Sequence, residues 1–140
     1  MRDGFAFSTR LKVRYAEIDG QKVVFNSRYL EYADVALTEY WNWAGIADKL
    51  GDEIWESHVR RAEVDYRRPF ILGDSMDLWV RMDAVGTSSF TQRCEMTHAV
   101  TGELHATVTM IGVGVDLATG RPLPHSPRVR AFLESLLPAA

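Results

Sequence analysis

The sequence predicts an α+β domain in which an antiparallel sheet wraps around one long central helix. Three observations carry this. A single amphipathic helical stretch lies early in the chain, period-2 hydrophobic alternation runs through most of the remaining residues, and the turns between alternating runs are too short for parallel crossovers. At 140 residues the chain has the length of one domain, spanning 1–140, and can bury about two-thirds of its unfolded surface without a metal or disulfide staple.

A first strand is expected from roughly Phe7 to Glu17. Tyr29, Tyr32, Ala33, Ala36, Leu37, Tyr40 and Ala44 then recur at the i, i+3, i+4, i+7 spacing of one helical face, while Arg28, Glu31, Asp34, Thr38, Glu39 and Asn42 fall mainly on the other. Asn26 or Ser27 suits the N-cap and Gly45 the C-terminal cap of this helix. From His58 the period becomes 2. Ala62, Val64 and Tyr66 alternate with charged neighbours up to Pro69, which has no N–H to give to a ladder. Leu72-Gly73-Asp74 reads as a turn, and Met76, Leu78, Val80 and Met82 form the clearest half-buried strand. Phe90, Gln92, Cys94 and Met96 continue the pattern after Gly86, and Leu104 to Val115 forms the last long strand after Thr101-Gly102. That strand is apolar on both faces and Trp79 points away from the helix, so the outward sheet face is expected to pack against another subunit. The Pro-rich tail from Arg121 reads as a connector with a terminal helical turn within Ala131 to Leu137.

Composition excludes several classes of function. A formal net charge of −3 gives no basic excess for nucleic acid. A lone cysteine, Cys94, fits a reducing compartment. No apolar stretch reads as a signal peptide or membrane span, so the expected location is cytoplasmic. Gly86-Thr87-Ser88-Ser89-Phe90 lacks the last glycine of a nucleophile elbow, and the glycines at 112 and 114 lack the third of a dinucleotide fingerprint. His58, His98, His105 and His125 show no zinc spacing, so no metal is expected.

The segment from Val13 to Tyr32 carries the chemistry. Asp19 ends a strand, a glycine-bearing loop comes next, and the helix begins near Asn26 and Ser27. A helix start offers unpaired N–H groups with partial positive charge, which is what a developing oxyanion needs, and Asp19 lies seven residues before Asn26. Carboxylate and donors around one carbonyl carbon suit acyl transfer. An aspartate beside glycine is equally an ordinary turn residue.

Residues 13 to 32 resemble the signature of the 4-hydroxybenzoyl-CoA thioesterase-like family of acyl-CoA thioesterases, in the hotdog superfamily. The matching elements are Glu17-x-Asp19, Val23-Val24-Phe25 and Tyr29, then Tyr66 to Pro69 with Gly73-Asp74, the Gly86 to Ser89 turn and Gly120 to Pro124. The resemblance implies a hotdog fold and hydrolysis of an acyl-CoA thioester. By it, Asp19 is nucleophile or general base, and the N–H groups of Asn26 and Ser27 polarise the carbonyl. Phe25, Tyr29 and, across a dimer, Tyr66 line the acyl pocket, while Thr87, Ser88 and Ser89 meet coenzyme A. It further implies a homo-oligomer, dimer or dimer of dimers, with sites between subunits, and no cofactor, coenzyme A being part of the substrate.

Lys22 departs from the pattern, because many members carry glycine there. Related thioesterases place the carboxylate on the helix, which would nominate Glu31 or Asp34, though both read as solvated surface. Arg60, Arg61, Arg67, Arg68, Arg121, Arg128 and Arg130 are candidate phosphate ligands, and the sequence selects none. A hotdog dehydratase would need a pocket histidine that residues 13 to 32 lack. A non-catalytic acyl-CoA binding or sensor protein remains the alternative.

Overall fold

The computed structural model describes residues 1–139. Strand β1 (Phe7–Lys12) leads through a single 3₁₀ turn, Tyr15–Glu17, to helix α1 (Arg28–Ala44) and a short α2 (Ile46–Leu50). Strands β2 (Ser57–Tyr66), β3 (Ser75–Val85), β4 (Ser89–His98) and β5 (Leu104–Gly114) come next, and α3 (Pro127–Ser135) closes the chain. The sheet is antiparallel throughout, in the order β1-β3-β4-β5-β2. The predicted α+β architecture is the observed one.

Helix α1 forms because its apolar side chains share one stripe. Tyr29, Tyr32, Ala33, Ala36 and Tyr40 are buried, and Gly45 ends the helix in the left-handed conformation that a C-terminal cap needs, at φ 75°. The two alanines let the helix axis approach the sheet, where it meets Met76, Leu78, Val80, Cys94, Met96, Ala106 and Val108. Each fully buried large side chain in that set contributes about 1.5–3 kcal/mol. A second cluster under α3 joins Leu50, Met82, Phe90, Val129, Phe132 and Leu133. Helix α3 is longer than the predicted terminal turn because Pro127 opens it and the Ser126 side chain caps the Val129 N–H.

Three expectations need correction. First, β1 stops at Lys12 rather than Glu17. Val13 still donates to the Asp74 carbonyl, after which the chain turns to bury Glu17. Second, the outward sheet face is polar, with ion pairs joining Arg81, Arg93, Asp83 and Glu95. Trp79 is half-buried, edge-on to Phe5, and donates to Thr97. The apolar end of β5 is covered by the chain's own tail, where Val115 bridges Pro122 and Leu123 donates to Gly114. Third, β2 is exposed on both faces except at Val64, because α1 crosses β1, β3, β4 and β5 and leaves β2 outside its footprint. Exposed apolar side chains gather there and at the helix start: Phe25, Leu30, Val35, Val59 and Tyr66.

The Cys94 thiol is fully enclosed, and burial, helped by the Glu95 charge, pushes its pKa up to about 12. It is inert at neutral pH.

Candidate active site

The loop bearing Asp19 is a small hairpin. Ile18 bridges Val24, the Asp19 N–H donates to Val23, and the Lys22 N–H donates back to the Asp19 carbonyl. Asp19 Oδ1 accepts the Gln21 N–H at 2.8 Å, while Oδ2 takes no hydrogen bond within the described residues. One oxygen is thus anchored by the turn, and the other is not.

Lys22 closes the turn at φ 67°, alone among the described non-glycine residues in having positive φ. The left-handed turn is therefore made with a lysine in place, with strain on the order of 1 kcal/mol. Lys22→Gly is expected to relieve more strain than it adds in unfolded-state entropy, raising stability by about 0.5 kcal/mol and Tm by a few degrees. A calorimetric scan in which the variant melts below wild type would contradict this.

Behind the hairpin sits Glu17, to which the spacing of the sequence assigns no separate role. It is 4% exposed. Oε1 accepts the Arg14 N–H at 2.8 Å and the Tyr32 hydroxyl at 2.9 Å, and Oε2 accepts Arg14 Nη2 at 2.7 Å. Burial opposes its charge, but the Arg14 side chain and backbone and then Tyr32 outweigh it, holding the pKa below the ordinary carboxylate value. Burial, and secondarily Glu17, holds the Tyr32 pKa well above its usual value. This knot ties the 3₁₀ turn to α1 and so fixes the base of the Asp19 hairpin.

At the helix start, Ser27 occupies the N-cap position in αR conformation and its side chain makes no cap bond. The N–H groups of Asn26 and Ser27 donate to no acceptor among the described residues. The Tyr66 hydroxyl donates to the Asn26 carbonyl at 2.7 Å. Because C=O and N–H of a trans peptide point oppositely, that bond sets the direction of the Ser27 N–H. Tyr29 is buried, stands edge-on to Tyr66 at 5.1 Å, and accepts the Phe70 N–H. Tyr66 therefore meets the helix start of its own chain.

Asp19 and the helix start open into two separate cavities, so the single pocket expected to hold both is not seen within one chain. Tyr15, Ile18, Asp19, Lys22 and Leu72 line one, and Val24, Asn26, Tyr29, Tyr66 and Arg67 line the other. Asp19 faces Val23 across the hairpin, three residues before Asn26, so its backbone stands about 10 Å from the Asn26 N–H. Phe25, 47% exposed, lies between them in sequence.

Thr87, Ser88 and Ser89 are not part of this constellation. They precede β4 beside Val113 and Gly114, at the opposite end of the sheet from Tyr66 and Ala106. Their carbonyls are taken by the His125 N–H, the Gly114 N–H and the His125 ring. Arg130 is bound to the Gly86 carbonyl and Glu134, Arg68 to Glu103, Arg61 to Glu63, and Arg128 to the Lys49 carbonyl. Arg67 faces the Asn26 cavity with only a loose 3.7 Å contact to Asp65. Glu31 is paired with Arg28, and Asp34 is exposed.

His98 and His105 stand beside Asp74 and Phe70. His98 Nδ1 accepts two backbone N–H groups, which places its neutral-form proton on Nε2, facing Asp74 at 3.3 Å. His105 is stacked on Phe70 at 4.3 Å, and burial, followed by His98, lowers its pKa. Among the described residues no three His, Cys, Asp or Glu side chains converge to hold a metal ion.

Comparison with known proteins gives a consistent result. The family described as the thioesterase-like superfamily matches residues 13–133. The chain is 25% identical over 134 residues to the long-chain acyl-CoA thioesterase FadM of Escherichia coli K12, covering 92% of this chain and 98% of that protein. A thioesterase of Thermus thermophilus, solved with coenzyme A and zinc, superposes with TM-score 0.78 and 29% identity over 96% of this chain and 97% of its own. A 1,4-dihydroxy-2-naphthoyl-CoA thioesterase of Synechocystis shares the fold, with TM-score 0.78 at 19% identity over 93% of this chain and 96% of its own.

Proposed function

The chain belongs to the thioesterase-like superfamily, with its hotdog fold, and on that premise we propose that it hydrolyses acyl-CoA thioesters. The observation that carries the reading is a pair of unpartnered N–H groups, at Asn26 and Ser27, opening a 17-residue helix beside a carboxylate with one free oxygen. The E. coli relative's name and the coenzyme A bound in the T. thermophilus structure point the same way.

In this reading the thioester carbonyl lies in the gap between the hairpin and the helix start. The Asn26 and Ser27 N–H groups, aligned with the helix dipole, stabilise the oxygen as it gains charge. Asp19 either attacks the carbonyl carbon or takes the proton of an attacking water. The C–S bond then breaks and coenzyme A leaves as its thiolate. In the nucleophilic route the acyl group stays on Asp19 as a mixed anhydride until water hydrolyses it. Tyr66 acts by holding the Asn26 peptide plane, and Tyr29 and Phe25 supply apolar surface.

The coenzyme A portion calls for a second copy. Tyr66 lies level with Ala106 and Met96, so Ser89, which ends the Thr87 to Ser89 turn seven residues away along β4, stands about 23 Å along the sheet from the helix start of the same chain. A two-fold axis through the exposed edge of β2 exchanges strand ends and brings the same turn of another copy to the helix start. Val59, Leu30 and Val35 would be covered by that pairing. Light scattering that returns a monomer at micromolar protein would remove this part of the reading.

The test of function is thiol release from a panel of acyl-CoA esters by the purified chain. Turnover well above the spontaneous rate is expected. Tight binding without turnover would overturn the hydrolase in favour of a non-catalytic acyl-CoA binding protein.

A further inference from the structure

We propose that the seam between α1 and β2 receives the substrate's acyl chain, and that the Gln92 amide in its floor selects acyl groups bearing a hydroxyl or oxo substituent. This rests on the thioesterase reading above and names a substrate class for it.

The argument begins with an anomaly in β4. Its helix-facing side chains are Phe90, Gln92, Cys94 and Met96, all buried, and three of the four are apolar. Gln92 is 4% exposed and its Nε2 has no hydrogen-bond acceptor. A buried donor without a partner weakens the fold, and replacing it by an apolar group of similar shape would not, so folding gives no reason for an amide at this position.

The surroundings suggest what it serves. Gln92 lines a groove with Leu37 and Trp41 of α1, Val59 of β2 and Met110 of β5, and Asp34 stands at its rim. The groove exists because α1 leaves β2 uncovered. The lining is mixed, with Phe90 also apolar and Thr38, Ser57 and His58 also polar, and within it the Gln92 amide is the one buried side-chain donor without a partner, which suits an acyl chain that carries an oxygen function. Gln92 pairs in register with Met110, whose unbranched thioether side chain is half-buried and can yield to admit a ligand atom to the amide.

The groove lies further along the same strand, β2, that borders the helix-start cavity. Along β2, Tyr66 faces Ala106, Val64 faces Val108, Ala62 faces Met110 and Val59 faces Gly112. The helix-start cavity lies at the first of these levels and Gln92 at the third, about 13 Å further along the strand. Along α1, Asp34 is about 10 Å beyond Ser27. Both elements give the same span from the oxyanion donors to the amide, which an extended chain of single bonds covers in about ten carbons.

The experiment compares kcat/KM for a long-chain acyl-CoA hydroxylated about ten carbons from the thioester with that for its saturated parent. Wild type is expected to favour the hydroxylated ester by on the order of tenfold, the size of one buried hydrogen bond. Gln92→Leu is expected to bring the ratio near one, mostly by improving the saturated substrate, and to melt no lower than wild type. Gln92→Met, with an unbranched side chain of similar reach, repeats the measurement should the branched leucine fail to pack. Equal kcat/KM values in wild type, or a preference that persists in the variants, would overturn the inference while leaving the thioesterase reading intact. No thiol release from either ester by wild type would remove both.

Discussion

Asp19→Asn is expected to lower kcat/KM on acyl-CoA esters by about 10²–10⁴-fold, the range associated with loss of a positioned base or nucleophile. The substitution suits the geometry. The asparagine side-chain oxygen can still accept the Gln21 N–H that Asp19 Oδ1 accepts at 2.8 Å, and asparagine is at home in such turns. Hairpin, helix start and Tm should therefore be unchanged. What is lost is the charge on the free oxygen, which neither an attack on carbon nor removal of a water proton can spare. The Asn26 and Ser27 N–H groups remain, so residual hydrolysis above the spontaneous rate should persist, with KM little altered because the coenzyme A and acyl contacts lie elsewhere. Wild-type kcat/KM in a folded Asp19→Asn protein would end the assignment of Asp19, and attention would pass to Asp34 at the groove rim.

Much of the architecture is legible in the sequence because it rests on periodicity. Tyr29 to Tyr40 can lie on one face only if helical, and Met76 to Met82 only if extended, so α1 and β3 come from spacing. What spacing does not report is which surface covers which. Alternation in Ala62, Val64 and Tyr66 suggests a half-buried strand, yet the helix footprint misses β2. Val113 and Val115 suggest a bare apolar face, yet residues 122 and 123 return to cover that end of β5. Within the site, Asp19, Asn26 and Tyr66 are nominated by resemblance. That Tyr66 meets Asn26 in its own chain is not, because the contact joins residues 40 apart in sequence. Glu17 is the least visible, since nothing in its spacing marks a buried carboxylate, while Gln92 falls on the inward face with Phe90, Cys94 and Met96 but its lack of a partner shows only in the fold. The buried tyrosine hydroxyl at position 32 is the available signal for Glu17, because such a group needs a partner.

Glu17→Gln is expected to destabilise the protein by about 2 kcal/mol at neutral pH, lowering Tm by roughly 5–10 °C at fixed protein concentration. The amide can accept the Tyr32 hydroxyl or the Arg14 N–H, but its NH₂ would face the Arg14 guanidinium, donor against donor. Most of the effect comes from the bond to Tyr32, 2% exposed, which falls from charge-assisted to neutral, because the Arg14 side chain is 78% exposed and its attraction is screened by water. The pH dependence identifies the mechanism. The folded-state pKa of Glu17 lies below its ordinary value of 4.5, so its charge adds stability above the unfolded-state pKa, and that stability is lost as pH falls through the folded value. The gap between wild type and Glu17→Gln should therefore be constant from neutral pH down to about 5 and close in more acid solution, where a protonated glutamate resembles glutamine. A gap independent of pH down to acid unfolding would mean that packing, not charge, holds the hairpin. Because the same carboxylate anchors the turn that carries Asp19, the loss of stability should be accompanied by a fall in kcat, and Tyr32→Phe, which leaves Arg14 paired with Glu17, should reproduce both effects at smaller size.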